Sequence, residues 1–508
     1  MISCGLGFLS FFSFYNKFVC LVTMATPQNQ MSILCLAVLL AVMSTAPSVA
    51  GISALRKMFH PNPPAYAKRT GVDPGEPLFL TPYIESGQIE KGQNLSRVGT
   101  LVGTDIESYS GFLTVNATYN SSMFFWFFPA QTAPSSAPVL LWLQGGLGGS
   151  SLFGLFAENG PFLVTKDLKL QPRKWAWTNK YSMLYIDNPV GTGFSFTESD
   201  DGYANNEEDV ARDLYSALTQ FFQLFPKYQK NEFYATGESY AGKYVPAICY
   251  KIHMENPTAK VHINLQGMAI GDGLVDPYSM LTEYGDLMLQ TCQIDKKEKK
   301  VVDLYTTKGA MYIAQKQWIK AFQQFDELLN GDLWPYPTFY YNATGSDNYY
   351  NYMTSTQLVD TNYYNDYVAL PEVRRAIHVG NLTYNDGAAV ENHLRADICQ
   401  SVIDWVVVLA NNYRCMFYSG QLDIIVGATL TENFLHVLQW DGQREYLNAN
   451  KTIWKVNPSD TEVAGYVRNV RGLYQVVVRG GGHLLPYDQP ERSFDMIDRF
   501  MTKRPFSN

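Results

Sequence analysis

The feature that most constrains the fold of this chain is a repeated order of apolar strand-like run, glycine turn and helix pattern. Four apolar runs with glycine turns lie in its first half, at residues 137–146, 181–196, 231–239 and 262–273. Between the second and third runs, residues 207–225 carry apolar side chains at helical spacing. Strand–helix–strand order predicts an α/β fold, with helices covering a parallel sheet. Such sheets bind their ligands at the carboxyl ends of the strands, where these glycine turns fall.

The remainder of the chain divides by composition. Residues 277–370 are rich in Tyr, Asn and Gln, carry long helix patterns and lack strand–turn signals. We therefore expect this segment to be a mostly helical insertion, a cap over the site. The strand-and-turn pattern then resumes, so the α/β core is expected in two parts, residues 51–276 and 371–508.

Residues 1–50 are predicted to be a leader. From Met31 to Gly51 an apolar run too short to span a bilayer comfortably is followed by small residues, which is typical of a secretory signal cleaved after Ala50. A second apolar patch lies upstream, so residues 1–30 are either an extended leader or the product of an upstream start codon. The true start is accordingly Met1 or Met31. No later segment has the length and apolarity of a transmembrane helix.

Sequons and cysteines also favour the secretory pathway, in an extracellular or lysosome- or vacuole-like compartment. Candidate N-glycosylation sites lie at Asn94, Asn116, Asn120, Asn342, Asn381 and Asn450. Three of the seven cysteines lie in the leader, and the other four are Cys249, Cys292, Cys399 and Cys415. An even number permits two disulfide bonds, in any of three pairings.

Charge and residue spacing argue against two classes of function. The net charge of −8 and the pI near 5.5 do not supply the basic surface that nucleic acid binding requires. The chain has no CxxC and no pair of histidines at helical spacing, so we expect no metal site. We expect no cofactor and no nucleic acid partner.

A candidate nucleophile lies directly after the third strand-like run, in Gly237-Glu238-Ser239-Tyr240-Ala241-Gly242. This resembles the nucleophile elbow G-x-S-x-G, with Ala241 in place of the second glycine. A serine hydroxyl needs a histidine to take its proton and an acid to orient that histidine. Asp423 and His483 follow in the chain order of α/β hydrolases, each in a glycine-flanked turn just past a strand-like run.

Several long motifs together resemble one family, the serine carboxypeptidases, and within it the vitellogenic carboxypeptidase-like branch. They are "VLLWLQGGLGGSSLFGLFAENGPF" (139–162), "YIDNPVGTGFSF" (185–196), "ATGESYAGKYVP" (235–246), "AIGDGLVDP" (269–277), "LPEVRRAIHVGN" (370–381), "YSGQLDIIV" (418–426) and "GGGHLLPYDQP" (480–490). The family's elbow carries alanine where this chain has Ala241. The resemblance implies an α/β-hydrolase fold with a helical cap and a serine-type carboxypeptidase activity.

The resemblance also assigns catalytic roles. Ser239 is expected to be the nucleophile, His483 the general base and acid, and Asp423 the residue that fixes the imidazole tautomer. The backbone N–H groups of Gly146 and Tyr240 are expected to form the oxyanion hole.

A carboxypeptidase must also bind the free α-carboxylate of its substrate. The resemblance places this task on Gln144, Gly145 and Glu238, with Glu158 as a second buried glutamate beside them. Two carboxylates repel unless one holds a proton, so we expect peptides to bind best at acidic pH. Leu147 departs from the family, which has proline in this turn, and Gln144 replaces its usual asparagine.

Two further interpretations stay open at this point. An acyltransferase can use the same scaffold, because an acyl-enzyme can pass to an alcohol instead of water. An inactive yolk or storage glycoprotein can retain the fold without the activity; the intact set of Ser239, Asp423 and His483 argues against it, and Leu147 is the one departure in its favour.

Overall fold

The computed structural model describes residues 71–101, 103–333, 337–356 and 360–507. The predicted leader and its cleavage site after Ala50 lie outside these residues. Among the helices described, none combines the length and apolarity needed to cross a membrane.

Ten strands form one mixed sheet at the centre of the molecule. Its strands, in spatial order, are β1 (Tyr109–Asn116), β2 (Ser121–Phe128), β6 (Ser182–Ile186), β3 (Val139–Leu143), β8 (Phe233–Glu238), β9 (Leu265–Gly271), β11 (Arg414–Gly420), β14 (Leu473–Val478), β13 (Gly465–Val470) and β12 (Thr452–Trp454). Two small two-stranded sheets pair β4 (Phe162–Val164) with β5 (Leu170–Pro172) and β7 (Thr192–Gly193) with β10 (Asn385–Asp386).

The parallel sheet predicted from the sequence occupies the middle of this arrangement. The six strands from β6 to β14 run parallel, whereas β1, β2, β13 and β12 pair antiparallel at the two edges. The edges differ because short turns join β1 to β2 and β13 to β14, and parallel neighbours need a longer crossover.

Helices connect the strands of the sheet and fill the segment from residue 277 to residue 376. Before that segment they are α1 (Thr81–Glu85), α2 (Ile89–Ser96), α3 (Ser151–Phe153), α4 (Glu207–Leu224) and α5 (Ala241–Glu255). Within it and up to Ala376 they are α6 (Pro277–Met280), α7 (Tyr284–Gln290), α8 (Lys296–Ala314), α9 (Trp318–Phe325), α10 (Phe339–Thr344), α11 (Tyr363–Val368) and α12 (Pro371–Ala376). The others are α13 (Ala388–Leu394), α14 (Ile403–Asn412), α15 (Ala428–Val437), α16 (Gln443–Asn448), α17 (Leu485–Asp488) and α18 (Pro490–Thr502).

An aromatic cluster joins α4 to the sheet. Every residue of β2 is buried. The ring of Phe127 packs edge-to-face on Phe221 and Tyr228, with centroids 4.9 and 5.0 Å apart. Such pairs contribute about 0.5–1.5 kcal/mol each beyond the area they bury. The apolar spacing read from residues 207–225 therefore marks the face of α4 that holds it on the sheet.

Two acidic residues, Asp295 and Glu298, fix the start of α8. Asp295 caps the helix: its Oδ1 accepts from the N–H of Glu298 at 2.8 Å, and Glu298 Oε2 accepts from the N–H of Asp295 at 2.9 Å. This reciprocal capping box satisfies two backbone donors that the first helical turn leaves unpaired.

The expectation of two disulfide bonds is wrong in this structure, where all four cysteines outside the leader carry free thiols. Cys249, Cys399 and Cys415 are buried among apolar side chains, and Cys292 lies on the surface. Burial raises the pKa of Cys399 to about 12 and that of Cys249 well above its usual range. These three act as small apolar core residues.

The six sequons lie where a glycan could be attached. Five of the asparagines are exposed, and Asn116, at the end of β1, is half-buried. Glycosylation remains a prediction, which the accessibility of these side chains permits.

Candidate active site

Five neighbouring parallel strands bring polar side chains to one edge of the sheet. Gln144 directly follows β3, Ser239 follows β8 and Asp272 follows β9. Asp423 and His483 lie in the turns after β11 and β14. The carboxyl ends of the parallel strands thus gather residues that are far apart in the sequence.

Ser239 lies in a tight turn between β8 and α5. Its φ is +64°, a left-handed conformation that is uncommon for a residue other than glycine. The backbone holds it there: its N–H donates to Gly271 O at 3.0 Å, and its carbonyl accepts from the N–H groups of Gly242 and Leu274 at 2.9 and 3.0 Å. Strain held in this way is typical of functional turns.

The departure of this elbow from the general sequence pattern has a steric reason. A Cβ on Gly242 would lie 2.6 Å from the backbone nitrogen of Leu274, so glycine is required one residue later than in the general pattern. Ala241 is fully buried, and its own Cβ would lie 2.7 Å from a Cβ added to Gly237. The elbow therefore accepts a methyl group at position 241 but none at 237 or 242.

His483 and Asp423 form a fully buried pair. Nδ1 of His483 lies 2.8 Å from Oδ2 of Asp423. The backbone N–H of His483 donates to Tyr350 O at 2.7 Å, and the two rings pack with centroids 5.0 Å apart. When Nδ1–H donates to the carboxylate, Nε2 is left as a proton acceptor. Nε2 is buried and has no hydrogen-bond partner within the described part of the chain.

The turn after β3 lies directly against the elbow. Gly146 has φ +109°, and the N–H of Gly149 closes the turn on Gly145 O at 3.0 Å. A Cβ on Gly145 would lie 2.6 Å from Ser239 Cβ and 2.7 Å from the backbone nitrogen of Tyr240. Glycine conformation and this hydrogen bond hold the turn, where the family pattern has a proline in place of Leu147.

This contact predicts a strong effect of Gly145→Ala. The added methyl group must displace Ser239 or the N–H of Tyr240. The family resemblance assigns that N–H to the oxyanion hole, and losing one such donor is expected to lower kcat at least about 100-fold. Steady-state kinetics on a peptide checks this, with Gly309→Ala, in α8 with only Gln324 Cβ at 3.8 Å, as the control. A Gly145→Ala enzyme within twofold of the parent would contradict the placement.

Two buried glutamates lie beside the amide of Gln144. Its Nε2 donates to Glu238 Oε1 at 3.0 Å, and its Oε1 accepts from Trp142 Nε1 at 2.9 Å. The tryptophan thus fixes which way the amide points. Both oxygens of Glu158, and Oε2 of Glu238, are buried without a donor among the described residues.

The two glutamates share an unusual electrostatic environment. Burial raises the pKa of Glu158 to about 7. Burial and the neighbouring Glu158 raise the pKa of Glu238 well above its ordinary value. Because two buried carboxylates repel, the pair holds a proton under acidic conditions. The two pKa values of the pair describe both carboxyl groups together and cannot be assigned to one glutamate each.

A cleft opens beside Ser239. Gly146, Leu147 and Tyr240 are part of its lining. Much of the remaining lining is apolar and includes Leu281, Phe322 and Phe325 from the helical segment and Ile425 and Val426 from the turn after β11. Neither Gln144 nor the two glutamates line it.

Sequence reasoning missed Asp272 and Trp142. The carboxyl group of Asp272 lies close to both Asp423 and His483. A carboxylate oxygen of each aspartate and a ring nitrogen of His483 lie within 4.8 Å of one another. Its sequence signal was its position between two glycines at a strand end, which it shares with many turn residues. Trp142 offered no signal, because an apolar strand predicts a buried tryptophan with or without a polar partner.

Comparison with known proteins identifies the family of this chain. The family model described as serine carboxypeptidase matches residues 100–503. A probable serine carboxypeptidase CPVL of Homo sapiens is 56% identical over 429 residues, 84% of this chain and 90% of that protein. The venom serine carboxypeptidase of Apis mellifera is 48% identical over 436 residues (85% and 92%), and the vitellogenic carboxypeptidase of Aedes aegypti is 42% identical over 443 residues (86% and 92%).

A solved structure supports the fold. The prohormone-processing carboxypeptidase Kex1(delta)p of Saccharomyces cerevisiae superposes with a TM-score of 0.70 at 21% identity, covering 81% of this chain and 96% of that one. The predicted α/β-hydrolase fold and the predicted resemblance are both confirmed.

Proposed function

Since this chain belongs to the serine carboxypeptidase family, we propose that it releases C-terminal residues from peptides through an acyl-enzyme on Ser239. It is a serine carboxypeptidase, and the proposal concerns which residues carry the reaction. The supporting observation is the buried pair of His483 and Asp423 at the sheet edge that also carries the strained turn at Ser239.

The proposed reaction has two steps. Ser239 Oγ attacks the scissile carbonyl carbon while His483 Nε2 takes its proton, and the N–H groups of Gly146 and Tyr240 stabilise the oxyanion. His483 then gives the proton to the leaving amine, so that the C–N bond breaks and the C-terminal residue leaves. Water attacks the acyl-enzyme and loses a proton to His483; the ester bond to Ser239 then breaks as His483 returns that proton to Ser239 Oγ.

Exopeptidase action is proposed to come from the buried carboxyl pair. The substrate α-carboxylate accepts hydrogen bonds from the amide of Gln144, the N–H of Gly145 and a protonated Glu238. Glu158 shares the proton of the pair. A peptide whose C-terminus is amidated lacks the group that these donors bind, so it should not be a substrate.

The pair gives the enzyme an acidic optimum for free-acid peptides. Both pKa values are raised, so the carboxyls are protonated at low pH and gain negative charge as the pH rises through those values. Between about pH 5 and pH 8 we expect kcat/KM for a free-acid peptide to fall at least about 10-fold. Turnover of a peptide ester, which has no α-carboxylate, should not fall in parallel.

The double variant Glu158→Gln/Glu238→Gln separates this effect from the titration of the triad. Amides do not ionise, so its free-acid and ester profiles should have the same shape. Glu198→Gln, an exposed glutamate, serves as the control. Identical profiles for the two substrates in the parent enzyme would exclude the carboxyl pair as the carboxylate site.

We also propose that residues 277–370 form the cap and that the cleft binds an apolar side chain on the acyl side of the scissile bond. The support is that Leu281, Phe322 and Phe325 line the cleft, whereas Gln144 and the two glutamates do not. A secretory location is proposed from the leader pattern and the exposed sequons, and one relative is named as a venom protein.

A further inference from the structure

Asp272 is a fully buried carboxyl that the proposed mechanism does not use. It follows β9 with φ +44°, and its N–H donates to Tyr418 O at 2.8 Å. Its Oδ1 accepts from the N–H of Gly420 at 2.9 Å. Its Oδ2 is buried without a hydrogen-bond partner in the described part of the chain, and its carboxyl group lies close to a neighbouring acid.

That neighbouring acid is Asp423. Oδ2 of Asp423 lies 2.8 Å from Nδ1 of His483 and accepts its hydrogen bond. The next donor to Asp423 is the N–H of Val426, at the longer distance of 3.3 Å from each oxygen. A fully buried carboxylate is stabilised by several short hydrogen bonds, and these contacts supply one. An acceptor site on Asp423 therefore remains open beside Asp272.

We propose that Asp272 is a positioning residue that stays protonated and donates a hydrogen bond from Oδ2 to Asp423. This inference rests on the proposed triad of Ser239, His483 and Asp423. In this arrangement Asp272 holds Asp423, and Asp423 holds the imidazole of His483. Two ionised carboxylates in contact would repel, whereas one shared proton turns the same contact into a hydrogen bond.

The surroundings of Asp272 favour its protonated form. The titratable groups that face it are those of Glu238, Tyr418, Asp423, His483 and Asp488. Three are acids, one is a phenol, and none is a lysine or arginine. Burial, followed by the charge of Asp423, raises the pKa of Asp272 well above its ordinary value.

The proton on Asp272 matters for His483. A general base must be neutral to accept the serine proton, and each nearby negative charge raises the pKa of the imidazole. An ionised Asp272 would therefore place a second negative charge beside the imidazole of His483. A neutral Asp272 orients Asp423 without adding that charge, which suits an enzyme that works in acid.

The variants Asp272→Asn and Asp272→Ala test this proposal through the pH profile of peptide ester hydrolysis. The acid limb of that profile reports the pKa of His483. Asparagine can donate from Nδ2 to Asp423, so Asp272→Asn should leave the acid-limb pKa unchanged. Alanine removes the hydrogen bond that Asp272 is proposed to donate to Asp423, so we expect kcat to fall about 10-fold to 100-fold. The asparagine variant should keep most of the activity that the alanine variant loses.

A downward shift of the acid limb by about one unit in Asp272→Asn would overturn the proposal, because it would mean that Asp272 is ionised in the parent enzyme. An Asp272→Ala enzyme within twofold of the parent would overturn it as well. If Asp272→Ala does not fold, the profile of the near-isosteric asparagine variant still decides. Asp201→Asn, at an exposed position, is the control.

Labelling of the parent enzyme at Ser239 by a fluorophosphonate separates this proposal from the proposed function. Labelling together with a shifted Asp272→Asn profile rejects the role of Asp272 alone. An absence of labelling in the parent enzyme rejects the triad itself.

Discussion

Replacing Ser239 with alanine is expected to lower kcat for a free-acid peptide by about 10⁶-fold, because no other group can form the acyl-enzyme. The change removes only the Oγ atom, and the hydrogen bonds of the turn to Gly271, Gly242 and Leu274 use backbone atoms and persist. Steady-state kinetics gives the loss, and a fluorophosphonate that labels the parent at Ser239 should leave the variant unlabelled.

Ser216→Ala is the matched control, since Ser216 is a half-buried serine on α4 away from the sheet edge. It should label and turn over like the parent. A Ser239→Ala enzyme that keeps more than about one per cent of parental kcat would mean that another residue is the nucleophile.

The second large effect is expected for Asp423→Asn, about 10⁴-fold in kcat. The Nδ1–H of His483 now donates to Oδ2 of Asp423 at 2.8 Å. An amide presenting its NH₂ there favours the other tautomer, with the proton on Nε2, where the base must accept one from serine. The geometry of the pair is otherwise kept, so the protein should fold.

Kinetics and thermal unfolding measured together check this prediction. The expected result is a loss of kcat with a melting temperature near that of the parent, and Asp404→Asn, at an exposed position on α14, is the control. An Asp423→Asn enzyme within 10-fold of the parent would show that this carboxylate does not set the tautomer.

Much of the site could be predicted from the sequence because it follows the strands. Gln144, Ser239, Asp423 and His483 each come shortly after an apolar run, in a turn that contains glycine, and parallel strands bring such turns to one edge. Glu158 differs, since it lies on a π-helical turn, Gly154–Asn159, and only the family resemblance pointed to it.

Features that depend on long-range packing could not be predicted. Asp272 matters through its contact with Asp423, and nothing in its own segment distinguishes it from an ordinary turn residue. Lys243 is fully buried in an ion pair with Asp397, although it occupies the first turn of a helix after the elbow. Local patterns specify strands and turns, whereas partners on distant segments are set by the assembled sheet.

The same limit explains why disulfide bonds were wrongly expected and why the antiparallel edge strands were not predicted. An even number of cysteines carries no information about distance, and the fold places Cys292 on the surface and the other three in the core. In the sequence, an antiparallel edge strand and a parallel strand both appear as an apolar run. Only the short turns between β1 and β2 and between β13 and β14 distinguish the antiparallel strands.

An acyltransferase on the same scaffold makes a distinct prediction. It would label at Ser239, leave peptides intact and form product only when an alcohol acceptor is added. An inactive storage protein would neither label nor cleave at acidic or neutral pH. Both alternatives are therefore separated from the carboxypeptidase by the same set of assays.

The most direct measurement compares two peptides of one sequence, one with a free C-terminus and one amidated, incubated with the processed enzyme at acidic pH and followed by mass spectrometry. Binding of the α-carboxylate by Gln144, Gly145 and Glu238 predicts release of single C-terminal residues from the free acid and none from the amide. Cleavage of both peptides at equal rates, or of neither while Ser239 is labelled, would contradict a carboxypeptidase that works through this site.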